Sequence, residues 1–323
     1  MSVALVLLAC LGGCVSATED VFETAKAAYT VKADKVRPEG SILVRIFKEE
    51  SELELWRSGS DGRYALVKSF PMCRWSGKLG PKKATGDRQA PEGFYQVTAG
   101  LMNPNSKYHR SFNLGFPNPL EKSLGWSGDA LMVHGACSSS GCYAMTDDGV
   151  SEIYAAAEKA FALGQSDFQV QAFPFRMTPQ QMAKHASDPN ISFWRNLKSG
   201  YDIFEVTRKE PEVSACAGRY VFDSRRKDGV ASMDPRAACP TLVAEVAPEV
   251  SERRKADLVA ERETARTSVP STAFAYSDGG MNPRFRDLLS RLGPQEMSRL
   301  TSRTSVPVSR PDAALADPFS AGR

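Results

Sequence analysis

Between residues 41 and 134 the chain is a succession of short apolar or alternating runs, most of them closed by Gly, Pro, Asn or Asp. Ser41–Phe47 is β-branched and apolar, Glu52–Trp56 alternates, and Tyr64–Phe70 follows the turn signal Gly59-Ser-Asp-Gly62. Gly93–Thr98, Ser111–Phe116 and Ala130–His134 continue the series, and Gly77–Pro91 reads as a long loop. Runs of this length and period predict strands rather than helices. The period changes after Cys142, where Val150, Ile153, Tyr154, Ala157 and Phe161 lie on one helical face. Thr146 to Asp148 supply the capping oxygens and Gly164 the stop. Phe168–Phe175 alternates as a further strand. Thr178-Pro-Gln-Gln181 opens a short helix to about Ser187, and Ile191–Leu197 forms another. The expected fold class is therefore α+β and β-rich, with short helices.

The ends of the chain differ from this middle. Residues 1–17 carry an apolar run too short to span a bilayer, which suits the h-region of an export signal. Leu11-Gly-Gly-Cys14 has the form of a bacterial lipobox with Cys14 as the lipidated residue, while Val15-Ser16-Ala17 offers an ordinary cleavage site. Residues 18–37 read as a polar, Ala-rich linker, 38–225 as the folded domain, and 226–242 as a loop-rich extension. Residues 243–323 are rich in Ala, Pro, Ser, Thr, Glu and Arg, and the expectation is a largely disordered tail. Within it, Phe285–Leu292 has the pattern of a short amphipathic helix. The net charge is +3 with acids and bases interspersed, which excludes a nucleic-acid surface. With the leader's Cys10 and Cys14 set aside, Cys73, Cys137, Cys142, Cys216 and Cys239 remain, an odd number. In an oxidising compartment four pair and one stays free, with Cys216 and Cys239 as candidate partners.

The chemistry concentrates in His134-Gly-Ala-Cys137-Ser-Ser139-Ser140-Gly-Cys142-Tyr-Ala-Met145, which holds one of only three histidines. A thiol nucleophile needs a base and backbone amides able to hold an oxyanion. Cys142, after Gly141 and before a helix start, is the candidate nucleophile. His134 is the candidate base, with the Gly135 carbonyl as its orienting partner. The amides of Gly141, Cys142 and Tyr143 are the candidate oxyanion donors. Two other uses of the same residues stand beside this one. Cys137 and Cys142 form an inert disulfide, or His134, Cys137 and Cys142 bind zinc, although the His-x2-Cys-x4-Cys spacing suits zinc poorly.

Val133-His134-Gly135 followed by Ser139-Ser140-Gly141-Cys142-Tyr143-Ala144-Met145 resembles the L,D-transpeptidase catalytic (YkuD) family, and in particular its YafK-like subgroup. The subgroup motif runs His-Gly-x-Cys-x-Ser-x-Gly-Cys-Tyr-Ala-Met-Thr. Gly77–Lys82, Gly86-Asp87, Pro91–Tyr95 and Asn113–Asn118 add to the likeness, which covers about residues 38 to 225. The chain departs from the wider family in three ways. Its spacer is shorter, Ser140 replaces a second histidine, and Ala144 replaces an arginine. The resemblance implies a mixed β-sandwich catalytic fold and a periplasmic enzyme of peptidoglycan remodelling. By analogy Cys142 forms a thioester with a meso-diaminopimelate-containing stem peptide, which passes to an amine in a transferase. The alternative is an amidase that passes it to water and releases a peptidoglycan-linked lipoprotein. A non-catalytic peptidoglycan-binding envelope protein is the remaining alternative. Ser139, Ser140 and Arg110 are candidate substrate contacts, His109 is a candidate second histidine, and Cys137 is a spare thiol or the partner of Cys73. No cofactor or metal is implied, and membrane attachment would come through a lipid on Cys14.

Overall fold

Every residue of Ile42–Phe47 (β1) is buried, so this strand must be covered on both faces. It is the middle of a five-stranded sheet in the computed structural model, which describes residues 40–228, 233–267, 279–285 and 287. The leader 1–17 with Cys14, the linker 18–37 and most of Phe285–Leu292 lie outside the described residues. In chain order the remaining elements begin with Glu52–Ser58 (β2), Tyr64–Pro71 (β3), Arg74–Trp75 (β4) and Gly93–Thr98 (β5). Met102–Asn103 (β6), Ser111–Asn113 (β7), Pro119–Ser123 (α1), Met132–His134 (β8) and Tyr143–Ala144 (β9) follow. Then come Asp147–Ala162 (α2), Asp167–Phe173 (β10), Pro179–Lys184 (α3) and Ile191–Thr207 (α4). The chain continues through Val213–Cys216 (β11), Arg219–Phe222 (β12), Ser224–Arg226 (β13), Leu242–Ala244 (β14) and Pro248–Thr267 (α5).

The first sheet has the order β3-β2-β1-β10-β5, with β1 and β10 parallel and the other pairs antiparallel. Strand alternation sends Ile42, Val44 and Ile46 to one side and Leu43, Arg45 and Phe47 to the other. The first set joins Val170, Ala172, Phe112, Val133 and Tyr143 in the main core. That core is shared with a second sheet, β4-β9-β8-β7-β6, and with the Val150, Ile153 and Ala157 face of α2. Each such fully buried side chain stabilises by ~1.5–3 kcal/mol. On the other face Leu43 packs with Trp56, Tyr64 and Phe204 of α4. There Arg45 donates to Glu205 at 2.6 Å and lies 4.5 Å from the Phe204 ring. The fold class is α+β.

Two differences from the sequence reading concern helices. α4 runs to Thr207, well past Leu197, because Trp194, Leu197, Tyr201 and Phe204 form one continuous buried face. Gly200 in its middle lets Phe222 and Phe94 approach, since a Cβ there would fall 2.5 and 2.6 Å from their rings. The second difference concerns residues 243–323, expected to be largely disordered: the twenty-residue α5 lies within that stretch and β14 straddles its start. α5 lacks an apolar stripe and docks through charges, which is why hydrophobic periodicity misses it. Lys198 of α4 donates to Asp257 at 2.6 Å, and Arg195 to Glu261 at 2.6 Å. Gly279–Asn282 is also placed: Gly280 exchanges backbone hydrogen bonds with Trp75 at 3.0 and 3.1 Å, extending the second sheet beyond β4.

Candidate active site

The second sheet carries His134 at the last position of β8, between β7 and the parallel β9. Val133 faces the core, so alternation turns His134 to the opposite side. The register pairs His134 with Ala144. Cys142, two residues before Ala144, therefore shares the side of the sheet that His134 occupies. The strand pairing thus sets the thiol just before β9, beside the start of β8, whose last residue is the rare histidine.

The imidazole is only 2% exposed, and its Nδ1 lies 2.6 Å from the Gly135 carbonyl oxygen. A carbonyl accepts only, so Nδ1 carries the hydrogen and Nε2 is the free basic nitrogen. Burial pushes His134 down to about 4, and the Gly135 carbonyl opposes that shift. The ring is therefore neutral at neutral pH. Tyr108 covers it with ring centroids 4.5 Å apart, and its carbonyl accepts the Gly135 amide at 3.0 Å. No larger residue fits at 135: a Cβ would lie 2.6 Å from Asp147 Oδ1 and 2.9 Å from the Tyr108 oxygen.

After Gly135 the loop bends through two consecutive left-handed residues, Ala136 at φ 64° and Cys137 at φ 47°. Such residues cost about 1–3 kcal/mol each unless neighbours hold them. Here the Ala136 amide donates to Asp147 Oδ1 at 2.8 Å, and Asp147 opens α2 behind its cap Thr146. Cys137 is bonded to Cys73, whose own amide donates to Ala144 at 3.1 Å. This disulfide removes Cys137 as a zinc ligand and as a partner for Cys142. The second disulfide joins Cys216 and Cys239, so Cys142 is the free cysteine among the described residues.

The half-buried Cys142 thiol donates to the Ala130 carbonyl at 3.6 Å. Burial pushes it above the usual thiol range, while a backbone hydrogen bond at Met132 and the Lys82 charge pull it back. The resting pair is thus a neutral thiol and a neutral imidazole.

The candidate oxyanion donors are placed differently from the sequence reading. The Gly141 amide donates to the Ser76 hydroxyl, and the Cys142 amide to Ser139 Oγ at 3.0 Å. The Ser139 hydroxyl in turn donates to the Cys142 carbonyl at 2.7 Å. These two amides are held by hydroxyls rather than left open, because the small residues around them admit Ser76 from β4's end. Tyr143 is strand-paired with Val133 and with Trp75, and its hydroxyl donates to the Pro91 carbonyl. Ser139 is itself buried, with its hydroxyl engaged in hydrogen bonds within the loop. Ser140 is the exposed residue beside it. Arg110 has its backbone at Gly135, and its guanidinium sits on α2, 3.6 Å from Glu158 and 5.0 Å from the Tyr154 ring. His109 likewise turns to α2, with Nε2 2.8 Å from Ser151 Oγ. His185 lies elsewhere, stacked on Phe175 and 2.9 Å from Glu49.

Sequence reasoning missed Lys82, Asp87 and Lys48. The buried Lys48 ammonium donates to the carbonyls of Lys78, Gly80 and Ala90 at 2.7–3.1 Å and to Glu92 at 2.9 Å. It ties down the loop that carries Lys82 past the thiol. The only signal was the Gly77–Lys82 and Gly86-Asp87 blocks, which carry likeness but no assigned role.

No protein-family model matches the chain. Two relatives named "Putative L,D-transpeptidase YafK", from Escherichia coli K12 and Escherichia coli O157:H7, are each 42% identical over 220 residues. The match spans 68% of this chain and 89% of each relative. Among solved structures, the helical cell shape determining protein Pgp2 from Campylobacter jejuni is similar at a TM-score of 0.35 and 19% identity. That match covers 55% of this chain and 73% of Pgp2. Bd1075 from Bdellovibrio bacteriovorus is similar at a TM-score of 0.32 and 16% identity, covering 44% and 51%.

Proposed function

The chain belongs to the family of the L,D-transpeptidase-like YafK proteins, and from that membership we propose that it is a peptidoglycan-remodelling cysteine acyltransferase with Cys142 as nucleophile and His134 as base. The observation that carries this reading is the neutral His134, locked by Gly135 with Nε2 free, on the same side of the sheet as the unpaired Cys142. As the sulfur attacks the carbonyl carbon of the peptide bond after meso-diaminopimelate in a stem peptide, its proton passes to His134 Nε2. The carbonyl π pair moves to oxygen, where it competes with Ser139 Oγ for the Cys142 amide. Collapse breaks the C–N bond, and the imidazolium returns the proton to the leaving amine. An acceptor amine then attacks the thioester carbon and gives its own proton to His134, and as the C–S bond breaks the imidazolium returns that proton to the Cys142 sulfur. Water in place of that amine makes the same site an amidase.

The two disulfides support an oxidising compartment, and we place the protein in the periplasm, with the 1–17 leader as export signal and Cys14 as lipid attachment point. The test is muropeptide analysis of cells expressing the wild type or Cys142→Ala. New cross-links between the third residues of two stem peptides, lost in Cys142→Ala, are the expected result. Release of a peptidoglycan-linked lipoprotein without new cross-links would establish the amidase. No Cys142-dependent change would overturn both.

A further inference from the structure

We propose that Lys82 is the cationic group of the cysteine site, holding the negative charge that forms on the Cys142 sulfur as its proton leaves for His134. The inference rests on the reading of Cys142 and His134 as nucleophile and base. Lys82 lies in the 77–91 loop and is only 4% exposed, paired there with Asp87. Its stem is seated against Gly128: a Cβ there, at φ 141°, would fall 2.5 Å from Lys82 Cε and 3.4 Å from Nζ. Two residues on, the Ala130 carbonyl accepts the thiol. Lys82 and the sulfur therefore flank one short segment of chain.

The other end of the same loop touches the catalytic loop directly. A Cβ on Gly141 would lie 3.8 Å from the Gln89 carbonyl oxygen and 3.4 Å from Leu131. Between these two contacts the loop is internally fixed. The Lys82 ammonium donates to the Ala84 carbonyl at 2.9 Å and to Asp87 Oδ1. Asp87 accepts the amides of Lys83, Ala84 and Gln89, each at 2.9 Å. The Ser127 amide, donating to the Lys83 carbonyl at 3.1 Å, ties this arrangement to the Gly128 segment. Asp87 is thus shared among four donors, the Lys82 ammonium and three amides.

The titratable groups in electrostatic reach of the thiol are Lys82 from the loop and Tyr143 from β9. Lys82 is the cation among them whose field opposes the effect of burial on the thiol. In the forward step the S–H bond breaks, the proton goes to Nε2, and Lys82 keeps its own proton throughout. It acts on the sulfur charge and forms no bond.

The experiment is the pH profile of Cys142 alkylation by iodoacetamide in the full chain, with the modified site mapped by mass spectrometry. In Lys82→Gln the thiol midpoint is expected to rise by about one unit, so the rate at neutral pH falls about tenfold. Lys82→Arg should stay close to the wild type. A Lys82→Gln profile that superimposes on the wild type, in protein with an unchanged circular dichroism spectrum, would overturn the proposal. Should Lys82→Gln not fold, Lys82→Met keeps the stem against Gly128 and carries the same two outcomes. Failure of the nucleophile reading looks different: Cys142 stays unmodified in the wild type, or His134→Gln leaves turnover unmoved.

Discussion

Removing the Cys73–Cys137 bond by Cys73→Ala/Cys137→Ala should damage both the fold and the site, whereas removing Cys216–Cys239 should damage only the fold. The two bridges close loops of different length, with sequence separations of 64 and 23. In the chain-entropy model the longer loop contributes ~4.3 kcal/mol at 25 °C and the shorter ~3.4 kcal/mol. For a folded unit of this size each kcal/mol moves the melting point by about 2–4 °C. The Cys73–Cys137 double variant should therefore melt roughly 9–17 °C below the wild type, and the other roughly 7–14 °C below. These are non-overlapping loops, so the two losses should add in the quadruple variant.

The thermal shifts differ too little to carry the argument alone, and the site supplies the sharper contrast. Cys137 follows Ala136 in the left-handed region, in the loop that joins His134 to Cys142. Without the bond, the Ala136 amide on Asp147 Oδ1 and the Cys137 amide on the Met145 carbonyl, 3.2 Å, are left to hold that strained turn. The loop should relax, displacing the Gly135 carbonyl from Nδ1 and Ser139 from the Cys142 amide. The measurements are melting by circular dichroism without reductant, and Cys142 alkylation at 25 °C on protein that is still folded. The expected result is a Cys142 reactivity changed severalfold in Cys73→Ala/Cys137→Ala and unchanged in Cys216→Ala/Cys239→Ala. Equal alkylation profiles for the wild type and both double variants would refute the claim that the first bridge positions the catalytic loop.

Four further outcomes follow from the same contacts. His134 falls from its ordinary 6.5 to about 4 on folding, so between those values the unfolded chain binds more protons. Stability should then drop by about 3 kcal/mol as pH falls from 6.5 toward 4, and urea titrations of His134→Gln should lack that part of the drop. Lys48→Met leaves Glu92 buried without its cation and should lose about 3–5 kcal/mol in urea unfolding, with Glu92→Gln added to it restoring part. Arg110→Ala should cost under ~1 kcal/mol and leave Cys142 alkylation and turnover unchanged, since its partner Glu158 is half-exposed and 3.6 Å away; a large loss of turnover would return Arg110 to the site. Gly279→Ala puts a Cβ 1.8 Å from the Trp75 carbonyl oxygen at φ 85°, so it should free the 279–282 segment and open a new cleavage site in limited proteolysis.

What could be read from the residues depended on whether a local pattern had a tertiary competitor. β1, β2, β3 and β5 were legible because their apolar periodicity is the direct trace of facing a core. The helix after Cys142 was legible because Thr146, the Val150–Ala157 face and Gly164 agree with one another. α5 was not, because its buried residues include Asp257 and Glu261, and charges that dock onto Lys198 and Arg195 look in sequence like a solvated surface. The pairing of Gly280 with Trp75 joins positions about two hundred residues apart, and no local rule reaches that far.

The site divides along the same line. The free Cys142 and the placing of His134 at a strand end beside Gly135 are legible because these residues sit close in sequence, at the end of one strand and just before the next. The loop's bracing is not, because it comes from Ser76, Asp147, Cys73 and Lys82, each on a different element. That bracing decides the chemistry. A neutral thiol beside a neutral imidazole does not form an ion pair at rest, so the proton must move as the sulfur attacks. The sequence reading placed the open amides of a ready oxyanion hole at Gly141 and Cys142, but Ser76 and Ser139 occupy them. The same small residues that suggested room for a substrate admit the hydroxyls that fill it. On the proposed reading, an acyl donor has to displace Ser139 Oγ from the Cys142 amide. A site of that kind completes itself around its acyl donor, rather than standing ready without it.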